Sequence, residues 1–166
     1  MNFARLQRLS VAAAMLALIL GISPSSSQSS EPAAGAGSAL SIPSGELIQP
    51  DALNRLLSAK AADKPLVLQV GSHLLFAEAH VPGSKYAGPG SQPSGLELLT
   101  STTSALPKSQ PIVLYCGCCP WNRCPNLEPA FRKLKDLGFT NVKALYIAEN
   151  FGANWVDKGY PVERGR

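Results

Sequence analysis

The stretch IVLYCGCCPWNRCPNLEPAFRKLKDLG, residues 112–138, decides the fold. Its first five residues are apolar and rich in strand formers, without the polar alternation of a half-exposed strand. Such a run suits a parallel strand covered on both faces. From Leu127, the residues Ala130, Phe131, Leu134 and Leu137 recur at helical spacing, and Arg132, Lys133 and Lys135 fall elsewhere on the wheel. Gly138 is a natural helix stop. The stretch therefore reads as strand, loop and helix. In parallel sheets ligands bind beyond the carboxyl ends of the strands, and free N–H groups at the start of a helix attract anions.

The loop between strand and helix holds all four cysteines of the chain, Cys116, Cys118, Cys119 and Cys124, within nine residues. A disulfide framework would spread its cysteines to join distant segments, so the cluster points to chemistry instead. The thiolate is the reactive form of cysteine, and a helix N-terminus or a nearby arginine lowers its pKa. Cys116 ends the strand, faces the helix start and has Arg123 in the same loop. It is expected to be an activated nucleophile.

Outward from this stretch, residues 66–70 and 142–147 read as further buried strands. Residues 50–60 read as a helix with Pro50 at its first position, residues 95–105 as a weaker helix, and a short helix is expected through Trp155. Strands alternating with helices give an α/β fold in three layers, a small parallel sheet flanked by helices on both faces. The folded domain is expected over residues 45–163. Residues 28–44 are rich in Ala, Gly, Ser and Pro and read as a flexible linker.

The first 27 residues follow the plan of a secretory signal peptide: Arg5 and Arg8, then a twelve-residue apolar run over 11–22, then small residues with a cut near Ser27. That run is short for a bilayer span, which needs ~20 residues, so stable membrane insertion is not expected after cleavage. An uncleaved anchor is the alternative. Either way the domain would sit outside the cytoplasm, periplasmic or secreted. The formal charge is +4, two of it from the leader arginines. With no basic run or basic-aromatic interleaving, nucleic acid is excluded as a partner.

Four blocks, in order, carry a family resemblance. AHVPGS (79–84) resembles a Gly-His-Ile-Pro-Gly-Ala signature, and IVLYC (112–116) resembles the strand that ends in a catalytic cysteine. LGFTNV (137–142) matches a helix end and the next strand, and WVDKGYPV (155–162) matches a closing Trp-x-x-Ala-Gly-Tyr-Pro-Val. Over about residues 46–162 the chain resembles the rhodanese family of sulfurtransferases. The resemblance implies a persulfide on Cys116, cradled by loop amides and passed to a thiophilic acceptor. It implies a small sulfur-containing substrate met by Gly117, Cys118, Trp121, Asn122 and Arg123, and no cofactor.

The sequence departs from the family in three places. The usual Asp-Val-Arg after the first core strand reads Gln69, Val70, Gly71, which removes a structural ion pair. The paired glycines before the last helix are replaced around residues 148–151. The loop is longer than usual, and Pro120 within it has no N–H to offer a cradle. Cys118 stands five positions before Arg123, the spacing of many Cys-x4-Arg loops in the family. That register makes Cys118 the nucleophile, whereas continuity of the strand favours Cys116.

The added cysteines widen the choice of function. Cys118, Cys119 and Cys124 are candidate resolving thiols, and a pairing of Cys124 with Cys118 or Cys119 at rest would make an exported thiol reductase a natural partner. The readings that compete with sulfur transfer are a thiol–disulfide redox protein, a thiolate module for copper(I) or zinc, and an inactive scaffold. A zinc site would need paired Cys-x-x-Cys spacing, which is absent, so no metal ligands are assigned. His80 is expected to support the turn over 81–83 rather than act as a base. His73 is expected on a surface loop, and Trp155 in the core.

Overall fold

The computed structural model describes residues 40–59 and 64–165. The expected signal peptide, and the linker as far as residue 39, lie outside the described residues. No helix among the described residues is long and apolar enough to cross a membrane.

Five parallel strands form one sheet. They are β1 (Leu47–Ile48), β2 (Leu66–Gln69), β3 (Lys85–Tyr86), β4 (Ile112–Tyr115) and β5 (Val142–Leu145), in the order β1-β5-β4-β2-β3. The helices are α1 (Pro50–Ser58), α2 (His73–Glu78), α3 (Pro93–Thr103) and α4 (Leu127–Asp136). β4 lies at the centre, pairing Ile112 with both Leu66 and Val142. All four of its residues are buried, because layers cover both faces. Ile112, Leu114 and Cys116 join one core with Leu99 of α3 and Leu127, Ala130, Phe131 and Leu134 of α4. Val113 and Tyr115 join a second core with Leu53 of α1 and Trp155. This is the expected three-layer α/β arrangement.

Local chemistry sets the element ends. Pro50 and Pro93 open α1 and α3 at positions where a missing N–H costs nothing. In α4, Glu128 stands in the first turn and Lys133 and Lys135 in the last, matching the helix dipole. Gly138, at φ +86°, ends α4 in the left-handed region.

Four expectations are corrected. Order begins before residue 45: Ile42 is buried in the first core, and the Ser41 N–H donates to Glu128 Oε2 at 3.3 Å. His73 sits in α2 with its ring edge on Tyr86, not on a loop. β1 and β3 are additional, and at two residues each they pair through register rather than through any hydrophobic run. The last helix is a π-helical turn, Gly152–Val156.

Trp155 is in the core as expected, and the His80 ring is fixed to α2 just before residues 81–83. Trp155 is buried and donates from Nε1 to the Pro161 carbonyl at 2.8 Å. His80 is 3% exposed, donates from Nδ1 to the Phe76 carbonyl at 2.7 Å and stacks on the Phe76 ring.

Candidate active site

At the carboxyl end of β4 the chain passes through Cys116 into Gly117, whose φ is +82°. An added Cβ there would stand 3.1 Å from Phe151 Cβ, so glycine serves both the turn and the close approach. The Gly117 carbonyl accepts from the Phe151 N–H at 2.9 Å, and the Trp121 N–H donates to the Ala148 carbonyl at 3.2 Å. These two bonds tie the long loop to the segment after β5. Within the loop, Trp121–Arg123 form a single 3-10 turn.

The four cysteines are free thiols. Cys116 Sγ lies 3.1 Å from Cys118 Sγ, which lies 3.0 Å from Cys119 Sγ. Cys124 lies beside them, lining one small void with Cys116 and Cys119. The resting sulfur contacts of Cys118 are with Cys116 and Cys119. Among the described residues, no group of three or more His, Cys, Asp or Glu side chains is arranged to hold a metal ion.

The electrostatics of the two buried sulfurs reverse the expectation for Cys116. Its hydrogen bond with Cys118 works to lower its pKa. The bond to Cys124, burial and the Cys124 charge outweigh that and push it up to about 12. Cys124 is lowered, first by its bond with Cys116 and further by the backbone N–H groups of Asn126 and Leu127. Those amides belong to the start of α4, so the helix end acts on Cys124 and not on the strand-end cysteine. Of the two, Cys124 therefore ionises before Cys116. Cys119 is pushed up to about 11 by burial and by Cys118, and Cys118 is pushed up by its bond to Cys116 and by burial.

Two polar side chains, Gln69 and Asn126, and the close approach of Gly71 hold Cys116 in place. Gln69 Nε2 donates to the Cys116 carbonyl at 3.1 Å and to the Ser72 carbonyl at 3.3 Å, while its Oε1 accepts from the Gly71 N–H at 3.1 Å. An uncharged clamp thus stands where the expected Asp-Val-Arg pattern would have put an ion pair. A Cβ on Gly71 would meet the Cys116 carbonyl at 2.8 Å and its Sγ at 3.1 Å. Asn126 donates from Nδ2 to Cys116 Sγ at 3.4 Å, and its Oδ1 accepts from the Ser91 N–H and hydroxyl at 3.1 and 2.7 Å. The position of Asn126, just before α4, was the one signal in sequence that could have found it.

A cavity of about 350 Å³ opens over this end of the sheet. Cys116, Gly117 and Cys118 line it, as expected for the reacting group and two of its neighbours. Trp121, Asn122 and Arg123 do not. Trp121 packs on Tyr146 and lines a small void beside Cys116, Cys119 and Cys124, while Asn122 and Arg123 are exposed on the outer side of the loop. The three residues of the 3-10 turn expected to contact substrate thus lie outside this cavity.

This architecture is the rhodanese-like fold. A crystal structure of the Alr3790 protein from Anabaena sp. matches 71% of this chain and 92% of its own, with 20% identity and TM-score 0.55. The solution structure of the rhodanese-like domain from the same protein matches 72% of this chain and 79% of its own, with 21% identity and TM-score 0.52. A variant of EanB, whose structure holds a cysteine persulfide in a tetrahedral intermediate state with ergothioneine, matches 71% of this chain but 28% of its own, with 21% identity and TM-score 0.53. At such identities the likeness is one of fold. No protein-family model matches the chain, and no curated protein does.

Proposed function

We propose that the protein is a sulfurtransferase in which Cys116 takes up a sulfane sulfur as a persulfide and passes it to a thiophilic acceptor. The observation that carries this role is the cavity at the carboxyl end of the central strand, with Cys116 in its wall and Cys124, the more acidic thiol, beside it. Cys116 is neutral at rest, and a neutral thiol is a poor nucleophile. As a donor approaches, the Cys116 proton passes to an ionised Cys124 beside it, which leaves Cys116 as the thiolate facing the cavity. The chain shares its fold with part of EanB, a structure of which holds a cysteine persulfide. Intact-mass measurement after exposure to a persulfide donor tests it. One added sulfur, removed by cyanide, is expected, and an unchanged mass with every donor contradicts it.

A second role is favoured by the 3.1 Å contact between the Cys116 and Cys118 sulfurs. A Cys118 thiolate attacking the inner sulfur of the persulfide would form a Cys116–Cys118 disulfide and expel hydrosulfide. A thiol reductase would then be needed to restore both thiols. Non-reducing peptide mapping after loading distinguishes the two, since pure transfer leaves no disulfide.

Residues 1–27 support export, and the natural setting proposed is periplasmic or secreted. N-terminal sequencing of the native protein should begin near residue 28. An intact Met1 chain in the cytosol would contradict export.

A further inference from the structure

Resting on the sulfur-transfer role proposed above, we infer that the cavity over Cys116 selects an uncharged or cationic organic persulfide with a compact apolar body and discriminates against anionic donors such as thiosulfate. No lysine, arginine or histidine lines the cavity. Apart from the thiols and the buried Tyr115 hydroxyl, its one ionisable group is Glu78, at the rim. Leu75, Ala79, Phe151 and Val156 supply apolar walls. A volume of about 350 Å³ is at the small end of the roughly 300–1,000 Å³ of ligand pockets, enough for a small organic molecule.

Several amides of the later part of the loop are engaged elsewhere. The Trp121 N–H bonds to the Ala148 carbonyl and the Arg123 N–H to the Pro120 carbonyl. The Asn126 and Leu127 N–H groups face Cys124. Pro120 has none to offer. Arg123, the cation nearest in sequence, lies on the exposed side of the loop and outside the cavity lining. An anion entering this space would lose water and find no cationic side chain in the lining, and would meet the Glu78 carboxylate at the rim. An ammonium group finds attraction from that carboxylate and from the Phe151 ring face.

The transfer balances without an oxidant. The Cys116 thiolate attacks the outer sulfur of R–S–S–H. A sulfur–sulfur bond forms to Cys116, the donor's own sulfur–sulfur bond breaks, and R–S⁻ leaves with the electron pair. The proton held on Cys124 passes to R–S⁻, which restores the Cys124 thiolate as R–SH departs.

A charge series of similar length tests the selection: the persulfides of cysteamine, mercaptoethanol and 3-mercaptopropionate, with thiosulfate as a dianion. Single-turnover loading of Cys116 in the mature chain is followed by mass at low ionic strength. Cysteamine persulfide is expected to load about tenfold faster than the mercaptopropionate analogue, with salt narrowing the gap. Glu78→Gln is expected to shrink that ratio and Glu78→Lys to invert it. Equal or faster loading by thiosulfate or the carboxylate persulfide, or a ratio that Glu78→Lys leaves unmoved, would overturn the selection while leaving sulfur transfer intact. If no donor in the series loads Cys116, sulfur transfer itself fails and the selection with it.

Discussion

Cys116 closes a strand and Cys124 precedes a helix, and the acidities of the two neighbouring thiols are shifted in opposite directions. At the strand end the backbone turns away: the Cys116 carbonyl is clamped by Gln69, and its Sγ meets a thiol on either side and the Asn126 amide. At the helix start the Asn126 and Leu127 N–H groups converge on one sulfur. The division of labour follows from backbone geometry. The strand end supplies access to the cavity, and the helix start supplies the charge. Neither cysteine has both, and their proximity couples them.

The strongest way to break this comparison is to remove the accessible member. Cys116→Ser should reduce sulfur loading to background, on the order of 10³-fold or more by single-turnover mass analysis. Full loading of that variant would transfer the role to Cys118 or Cys124. Removing the charged member comes next. Cys124→Ser should slow loading at neutral pH on the order of 10²-fold, because the acceptor for the Cys116 proton is gone. The pH profile sharpens the point. In the unsubstituted protein the Cys124 pKa is lowered, so loading should fall only as pH drops through that lowered value. In Cys124→Ser it should climb through the alkaline range as Cys116 ionises unaided. Superimposable profiles would contradict the coupling.

Smaller effects probe the surroundings of the two sulfurs. Gly71→Ala places a methyl group 2.8 Å from the Cys116 carbonyl, and should cost about 1–3 kcal/mol in urea unfolding. A neutral result would mean the strand end is not closely held. Arg123→Ala should change loading by less than about twofold, as expected of an exposed side chain away from the site. A loss like that of Cys124→Ser would return Arg123 to the site.

The centre of the fold was legible because its signals are local. β4 is an unbroken buried run, and α4 carries its stripe from Leu127 to Leu134 within ten residues. β1 and β3, at two residues each, are too short to carry any period and exist through pairing alone. Ile42 was hidden because one buried side chain among Ala, Gly, Ser and Pro does not change a composition.

The site divided in the same way. That chemistry gathers in residues 116–124 follows from counting cysteines. Which sulfur receives the helix amides depends on how the loop turns, and adjacency in sequence wrongly assigned that field, and Arg123, to Cys116. Gln69, Gly71 and Asn126 act through contacts that cross from one strand or loop to another. No spacing along the chain encodes those contacts.

The central claim is that access, and not resting charge, decides which cysteine reacts. Peptide mapping of the persulfide after a single turnover with mercaptoethanol persulfide, the new sulfur trapped by alkylation, tests it directly. The account predicts the added sulfur on Cys116, with Cys124 unmodified. Recovery of the sulfur on Cys124 would contradict it.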